Sequence, residues 1–368
     1  MRVLVAPQEF KGSLGADEAA TAIRAGLRRA RPSWQFDILP FSDGGPGFID
    51  ALRRAVVADT AAEIVEDALG RQVLGRFIIF RADHSVAIEA AQANGLYHLA
   101  PADRDPLRAD TFGVGQLVAA ALATSPPRMV IGVGGSATTD GGAGMARALG
   151  ARFLDEAGSD LPRGGAVLAN LAAIGWSPPP ALQGVEIVVA CDVTNPLVGP
   201  KGAAAVYGPQ KGATPAQVDI LEAALVRYAA VVKRSLGIDI ATLPGGGAAG
   251  GLAAGLYAFL GARLASGFDI VAEATGLAAR FSAADLIVTG EGSFDSQSLQ
   301  GKTTGRLIEM ARAAGKPCVV FAGRTDGEGP TVLSLSALEP DPAASMRNAA
   351  ALLEELAFRC ASAFTGGV

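Results

Sequence analysis

Residues 128–153, RMVIGVGGSATTDGGAGMARALGARF, hold an apolar run, a glycine-rich turn and a helix-forming stretch in immediate succession. The run after Arg128 is continuously apolar, which is typical of a parallel strand covered on both faces. Comparable runs recur along the chain: RVLVAP (2–7), VEIVVACDV (185–193), ADLIVTGEG (284–292) and PCVVFAG (317–323). This alternation of apolar strands with turns and helices predicts an α/β fold of the doubly wound type, with mostly parallel sheets.

The composition is that of a globular chain with a sizeable core. Of the 368 residues, 50% are hydrophobic and 18% are charged, which excludes a disordered chain. The 47 glycines and 21 prolines follow no collagen-like period, so they indicate frequent turns between buried elements. Since a single core rarely grows beyond about 250–300 residues, the length predicts two domains.

The charge balance narrows the possible partners. The chain has 31 basic and 36 acidic residues, a formal net charge of −5, and no basic cluster longer than Arg28-Arg29. Nucleic acids and membrane surfaces both attract concentrated positive charge, so we expect neither as a partner. The opening MRVLVAPQEF fits neither a signal peptide nor a transmembrane helix, which predicts a cytoplasmic protein.

Histidine and cysteine are too scarce for several kinds of catalysis. The chain has 2 histidines, His84 and His98, and 3 cysteines without a C-x-x-C spacing. Ser-His-Asp catalysis, Cys-His catalysis, zinc clusters and disulfide frameworks are therefore disfavoured. Any catalysis would depend on carboxylates, lysines and backbone dipoles.

Segments that combine glycine, a carboxylate and a hydroxyl follow several of the apolar runs. In an open α/β sheet, ligands bind outside the carboxyl ends of the strands, where such loops would converge. Phosphoryl transfer needs backbone N–H groups for phosphate, hard carboxylates for Mg²⁺ and an acid that accepts a hydroxyl proton, and it needs no histidine. The segments are SDGG (42–45), GGSATTDGG (134–142), CDVTN (191–195) and TGEGSFD (289–295).

Two nucleotide-binding motifs are matched only in part. GVGGSA (132–137) is a loose G-x-G-x-x-A match, but an acidic turn precedes its helix and no acid closes a second strand about 20 residues later, which disfavours a dehydrogenase. Gly301-Lys302-Thr303 imitates the end of a P-loop, but Ser296 stands where the first glycine would be. A lysine beside a glycine at a helix entrance can still hold a phosphate.

Longer motifs resemble the type-1 glycerate kinase family, in which bacterial enzymes phosphorylate D-glycerate, typically at its 2-hydroxyl. They are spread over nearly the whole chain in the order of the family. The matching segments are APQEFKGSL (6–14), SDGGPG (42–47), RDPLRADTFGVG (104–115), GVGGSATTDGG (132–142), CDVTNPLVGPKGAAAVYGPQKG (191–212) and TGEGSFDSQSLQGK (289–302).

The resemblance implies a two-domain α/β kinase that uses ATP and Mg²⁺, with the active-site cleft between the domains. The first domain would be discontinuous, built from residues 1–85 and 265–368, and Rossmann-like or flavodoxin-like. Residues 86–264 would form an inserted second α/β domain. The implied partners are glycerate and ATP, and the chain would be a monomer or a homodimer.

The resemblance also suggests catalytic residues by position. Lys11 is suited to gripping the glycerate carboxylate or a phosphate as a point charge. Asp192 would be the general base or a Mg²⁺ ligand, with Asn195 orienting it. Glu291 is a second candidate Mg²⁺ ligand, and Asp43 is a further catalytic candidate.

Substrate, phosphate and nucleotide contacts are assigned in the same way. Ser136 and Thr138 would donate hydrogen bonds to substrate or phosphate oxygens, beside the backbone of Gly134 and Gly135. Asn195 also belongs to this set. The residues expected to shape the nucleotide end are Gly290, Glu291, Asp295 and Lys302.

Two of these segments depart from the family pattern. Gln8-Glu9 stands where the family usually has Asp-Ser, and Pro46-Gly47-Phe48 stands where it has Glu-Gly-Thr. Gln8 removes a carboxylate, and neighbours in an extended strand end face opposite sides, so Glu9 would not automatically replace it. Pro46 and Phe48 delete a second carboxylate and a hydroxyl and add bulk.

The leading hypothesis is therefore ATP-dependent phosphorylation of D-glycerate to 2-phosphoglycerate. One alternative is a kinase of the same fold that acts on another small hydroxy or sugar acid, motivated by the departures at Gln8, Pro46 and Phe48. The other is a catalytically weakened relative that only binds metabolite or nucleotide.

Overall fold

The computed structural model describes residues 1–295, 298, 303–326 and 332–364. Its strands are short, mostly apolar segments. They are β1 (Arg2–Pro7), β2 (Gln35–Ile38), β3 (Ala58–Glu66), β4 (Gln72–Phe80), β5 (Val86–Glu89), β6 (Arg128–Gly132), β7 (Arg152–Leu154), β8 (Ala173–Gly175), β9 (Glu186–Ala190), β10 (Arg263–Ala265), β11 (Leu286–Phe294), β12 (Cys318–Thr325) and β13 (Val332–Ser334).

Helices connect most of these strands. They are α1 (Ala16–Ala30), α2 (Phe48–Ala55), α3 (Ala91–Asn94), α4 (Phe112–Leu122), α5 (Ala143–Ala148), α6 (Ala203–Tyr207), α7 (Pro215–Leu236), α8 (Leu252–Leu260), α9 (Gly267–Ala274), α10 (Leu277–Ala283), α11 (Thr303–Ala313), α12 (Pro342–Arg347) and α13 (Ala349–Ala363). Within the described residues, no helix combines the length and apolar character needed to cross a bilayer.

The chain divides into two compact units. Unit 1 comprises residues 1–43, 50–55 and 268–368, and unit 2 comprises residues 44–49 and 56–267. The domain limits expected from the sequence, 1–85 with 265–368 and 86–264, stay a prediction, because compactness of contacts does not measure independent folding.

Unit 1 is built on a five-stranded sheet in the order β13-β12-β11-β1-β2, and each pairing is parallel. Counted along this unit, the order is 2-1-3-4-5, the arrangement of flavodoxin-like sheets. The strand β1 is buried from Val3 to Pro7, which explains its continuous apolar run. The carboxyl ends of the strands therefore lie at one edge of the sheet.

Unit 2 contains a six-stranded sheet in the order β10-β9-β6-β5-β4-β3. The four strands β5, β6, β9 and β10 run parallel, whereas β3 and β4 form an antiparallel hairpin that continues antiparallel to β5. A separate antiparallel pair joins β7 and β8. These pairings confirm the prediction of an α/β fold with mostly parallel sheets.

The helix signals in the sequence have clear structural counterparts. Asp17 and Glu18 lie in the first turn of α1, and Arg28 and Arg29 lie in the last, where each sign stabilises the helix dipole. The helix α7 begins with a capping box between Thr214 and Gln217 and ends at Gly237, whose φ of +74° suits a glycine C-cap.

The sequence from about 342 to 364 predicts a single helix, and that prediction is wrong. The structure breaks it at Asn348, whose φ of −105° and ψ of 14° are not helical, into α12 and α13. The apolar pattern of the two helices runs on across the break, so it could not reveal one non-helical residue.

Candidate active site

In unit 1, the segments after β1 and β2 bring Gln8 and Asp43 together. The amide Nε2 of Gln8 donates a 2.9 Å hydrogen bond to Oδ2 of Asp43. The backbone N–H of Gln8 also donates to the Gly290 carbonyl at 2.8 Å, which ties this segment to β11. The residue that removes a carboxylate from the family pattern thus orients another carboxylate.

Glu9 belongs to the same group of charges. Burial raises the pKa of the Glu9 carboxyl, the charge of Asp43 raises it further, and the charge of Lys11 opposes both. The strand β1 ends at Pro7, so the alternation of sides does not extend to Gln8 and Glu9. Both residues of this dipeptide therefore interact with Asp43, Gln8 by hydrogen bonding and Glu9 through its charge.

A tight turn presents Lys11 to solvent. Phe10 and Leu14 exchange backbone hydrogen bonds of 2.8 and 3.0 Å, and Gly12 adopts a φ of +78° between them. Lys11 is exposed, and a Cβ added to Gly292 would lie 2.9 Å from its backbone nitrogen. The turn therefore packs directly on the end of β11 and leaves the ammonium accessible.

The nucleotide-end candidates in unit 1 lie at the end of β11. A Cβ on Gly290 would lie 2.4 Å from the Phe321 carbonyl oxygen, so close strand packing by itself requires this glycine. Glu291 follows with 9% of its surface exposed, and Asp295 closes a turn with Ser298, whose N–H donates to Oδ1 of Asp295 at 3.3 Å. Lys302 lies outside the described residues.

In unit 2, residues 44–47 pack on the ends of β6 and β9. The N–H of Gly134 donates to the Gly44 carbonyl at 2.8 Å, and a Cβ on Gly134 would lie 2.6 Å from the Cα of Gly45. Gly135 has a φ of +76°, and its added Cβ would lie 2.8 Å from Pro46 Cγ. These glycines are thus needed where two backbone segments meet.

Phe48, the bulky departure from the family pattern, is a core residue. It is fully buried, and a Cβ on Gly132 would lie 2.8 Å from its ring. Since the ring is used in packing, it adds no bulk to an exposed surface in this unit.

Ser136 and Thr138 form a buried polar cluster with Asn94, a residue that the sequence reasoning missed. The two hydroxyls are 2.8 Å apart, and the amide Nδ2 of Asn94 donates to them at 3.0 and 3.2 Å. Thr138 and Asn94 are at most 1% exposed, and Ser136 is 6% exposed. Ser136 is therefore the member of the cluster closest to solvent.

Asp140, the carboxylate of the same loop, is used within the fold. It is 1% exposed and accepts hydrogen bonds from the N–H groups of Thr111, Gly142 and Gly144 and from the Thr111 hydroxyl. Burial, chiefly, and the charge of Asp110 raise the pKa of Asp140, while these donors oppose the rise. Its oxygens stabilise the start of α5 and are not presented to a ligand.

Asp192 and Asn195 follow β9 in different environments. Asp192 is half-buried, and its Oδ1 accepts a 3.0 Å hydrogen bond from the Gly267 N–H. The side chain of Asn195 donates to the Lys201 carbonyl at 2.8 Å and accepts from the Tyr207 hydroxyl at 2.7 Å. These contacts of Asn195 stabilise its own loop, and the orientation of Asp192 by Asn195 stays a prediction.

Comparison with known proteins decides the family. The glycerate kinase family model matches residues 3–365. The chain belongs to the glycerate kinase family. A glycerate kinase of Halalkalibacterium halodurans is 43% identical over 87% of this chain and 85% of its own length. The glycerate 2-kinase of Escherichia coli is 42% identical over 89% of this chain and 87% of its own length.

A solved structure agrees with this assignment. The crystal structure of a putative glycerate kinase 2 from Salmonella typhimurium has a TM-score of 0.78 and 41% identity, and the match covers 98% of this chain and 97% of that one. Membership of the glycerate kinase family makes the chain a kinase.

Two further buried polar residues of this kinase escaped the sequence reasoning. Glu89, the last residue of β5, is 1% exposed and accepts a 3.4 Å hydrogen bond from the Ile49 N–H. Lys211 is 3% exposed and lies in the motif GPQKG. An acid that directly ends an apolar run was a visible signal for Glu89, whereas no local pattern marks Lys211 as buried.

The Lys211 ammonium gives the protein a specific pH dependence of stability. Burial lowers the pKa of Lys211 from 10.5 to about 7, against the attraction of Asp140. Between these two values the unfolded chain binds more protons, so raising the pH favours the folded state. We expect the free energy of unfolding to rise with pH, relative to that of Lys211→Met, by about 1 kcal/mol per pH unit.

Urea unfolding of both proteins in steps between about pH 7 and 10 measures this difference. A difference that stays flat or falls with rising pH would mean that the folded state does not lower the pKa of Lys211.

Proposed function

We propose that the protein transfers the terminal phosphoryl group of ATP to the 2-hydroxyl of D-glycerate, giving 2-phosphoglycerate and ADP. The observation that carries this proposal is the match to proteins named glycerate kinase and glycerate 2-kinase, at 42–43% identity over 85–87% of their length. The loops that follow the parallel strands supply residues of the kind that this reaction requires.

Asp192 is the proposed general base. Its Oδ1 accepts the Gly267 N–H, which holds the carboxylate in one orientation. The carboxylate accepts the proton of the substrate hydroxyl while that oxygen bonds to the terminal phosphorus and the bond to the leaving ADP oxygen breaks. A half-buried carboxylate remains accessible to such a substrate.

The loop of Ser136 and Thr138 is proposed to bind the acceptor acid or the transferred phosphate. Asn94 donates to both hydroxyl oxygens, and the Thr138 N–H also donates to Ser136 Oγ at 3.1 Å. One hydroxyl hydrogen can donate across the pair, and the other is left to donate outward. Ser136 would make the outward contact, and Thr138 would hold it in place. Gly134 and Gly135 allow the backbone of this loop to bend beside it.

Unit 1 supplies the remaining proposed contacts. The exposed ammonium of Lys11 is a point charge for a carboxylate or a phosphate. Asp43, oriented by Gln8, would bind a hydroxyl or a hydrated cation. The end of β11, from Gly290 to Asp295, would contact the nucleotide.

The residues present fit Mg²⁺, which kinases use to neutralise phosphate charge during transfer. Mg²⁺ is usually held by one or two carboxylates, with phosphate oxygens and waters as the other ligands. Within the described ranges, no group of three or more metal-binding side chains occurs. We propose that nucleotide phosphates would complete the coordination of the ion. Asp192 and Glu291 are the proposed carboxylate ligands.

The proposal is tested by assaying ADP release from purified protein with Mg²⁺ and ATP against a panel of hydroxy acids. D-Glycerate should be the fastest acceptor, because the buried position of Phe48 removes one argument for a different substrate. Turnover of a four-carbon acid without turnover of D-glycerate would contradict the proposal. ATP binding without turnover of any acid would instead indicate a metabolite-binding relative.

A cytoplasmic location and a monomeric or homodimeric state stay predictions.

A further inference from the structure

Lys211 is a buried lysine without a part in the mechanism above. Its Nζ donates a 2.5 Å hydrogen bond to the backbone carbonyl oxygen of Thr138, and the residue is 3% exposed. Burying a lysine amino group costs free energy in either protonation state, because the charged form loses its hydration and the neutral form still needs hydrogen-bond partners. A methionine of similar length would fill the space without that cost, so packing alone does not require a lysine here.

The carbonyl that Lys211 holds belongs to the proposed substrate loop. The side chain of Thr138 contacts Ser136 and Asn94, while its carbonyl faces Lys211. On the same carbonyl, a Cβ added to Gly250 would lie 1.9 Å from the oxygen, so the Gly250 backbone packs directly against it. The peptide group after Thr138 is therefore held from two sides, and with it the orientation of the hydroxyl cluster.

Lys211 also lies near the end of the segment 191–212, in which Asp192 lies near the start. Within that segment, Asn195 bonds to the Lys201 carbonyl and to the Tyr207 hydroxyl, so its two halves are connected. The hydrogen bond from Lys211 Nζ to the Thr138 carbonyl oxygen then joins this segment to the loop of Ser136. One contact thus links the two loops of unit 2 that carry the proposed base and the proposed substrate-binding hydroxyls.

We propose that Lys211 is a positioning residue, whose buried amino group donates to the Thr138 carbonyl and thereby keeps the Ser136 hydroxyl in the orientation that binds the acceptor acid. This inference rests on the proposed function, since it assigns acceptor binding to the Ser136 loop. It does not involve the end of β11, which is proposed to contact the nucleotide.

The test compares steady-state kinetics of the wild type, Lys211→Met and a control, Lys233→Met. Lys233 is an exposed lysine of α7 paired with Asp239, so the control makes the same chemical change outside the site. KM and kcat are measured with the acid that the wild type phosphorylates fastest and, separately, with ATP. Circular dichroism and thermal unfolding establish which variants are folded.

For Lys211→Met we expect KM for the acceptor acid to rise about tenfold, the equivalent of about one misplaced hydrogen bond. KM for ATP should stay at the wild-type value. A merely structural role would lower the fraction of active protein, which reduces kcat and leaves both KM values unchanged. A folded Lys211→Met with wild-type KM for the acid therefore overturns the inference.

A second variant covers the case in which Lys211→Met does not fold. Lys211→Leu removes the donor and keeps an apolar side chain in its place, and it is judged by the same comparison of acid and ATP. A raised KM for the acid alone supports the inference, and an unchanged one overturns it. Failure of the proposed function is distinct, because it appears in the wild type as absence of glycerate turnover with turnover of another acid.

Discussion

Asp192→Asn should lower kcat by about 10²–10⁴-fold, the loss that removal of a general base typically causes. Asparagine has nearly the shape of aspartate, and its carbonyl oxygen can still accept the Gly267 N–H that Oδ1 of Asp192 accepts at 3.0 Å. The substitution therefore removes the charge and the proton acceptor with little change of the loop. Steady-state kinetics with D-glycerate and ATP measure the effect.

The matched control is Asp219→Asn. Asp219 lies exposed on α7, so the same loss of one negative charge should leave kcat unchanged. If Asp192→Asn retained a kcat close to that of the wild type and of Asp219→Asn, Asp192 would not be the base. Thermal unfolding of both variants separates this result from a loss of folded protein.

Gly250→Ala should destabilise unit 2 by about 3 kcal/mol or more. Gly250 has a φ of +67°, and the added Cβ would lie 1.9 Å from the Thr138 carbonyl oxygen and 2.7 Å from the Cα of Thr139. Both neighbours are backbone atoms, so no side-chain rotation relieves the contact. The free energy of unfolding, measured by urea titration, should fall accordingly.

Gly237→Ala isolates the steric part of this effect. Gly237 has a similar φ of +74°, but its added Cβ would meet no atom within 4 Å. Gly237→Ala should therefore lower the free energy of unfolding only by the strain of an alanine in the left-handed region, about 1–2 kcal/mol. Equal losses in the two variants would show that the close approach of Gly250 to Thr138 does not constrain the loop.

The fold class was predictable because it depends on local patterns. Continuous apolar runs such as the one after Arg128 favour burial on both faces, which parallel strands covered by helices provide. The hairpin of β3 and β4 was not foreseen, since its apolar positions do not all face the core. Ile64 and Leu74 pair directly across the hairpin, yet they are 64% and 62% exposed.

The glycine-rich segment PGGGAAGG (244–251) shows the limit of the same reasoning. Its composition suggests a hinge or a ligand loop, because glycine permits unusual backbone conformations. In the structure it lies wholly within unit 2, where Gly247 meets the Pro196 carbonyl and Gly250 the Thr138 carbonyl. Close backbone packing by itself accounts for these glycines, and their composition does not distinguish it from a hinge or a ligand loop.

The loops that carry the candidate residues were predictable, but the hydrogen-bond partners of single residues were not. Acid-bearing loops after parallel strands are predictable because each follows an apolar run directly in the sequence. Asp140, Asn94 and Lys211 owe their roles to partners far away in sequence, at Thr111, Ser136 and Thr138. No spacing rule identifies such contacts, and in a single sequence each of these residues resembles an ordinary turn or surface residue.

The most direct test of the central claim is the identity of the product formed from D-glycerate, Mg²⁺ and ATP by the purified protein. Phosphorus and proton NMR of the reaction mixture distinguish the two phosphoglycerates, because the phosphate couples to the proton on a different carbon in each. The account predicts 2-phosphoglycerate and an equal amount of ADP. Formation of 3-phosphoglycerate, or ADP release without a phosphorylated acid, would contradict it.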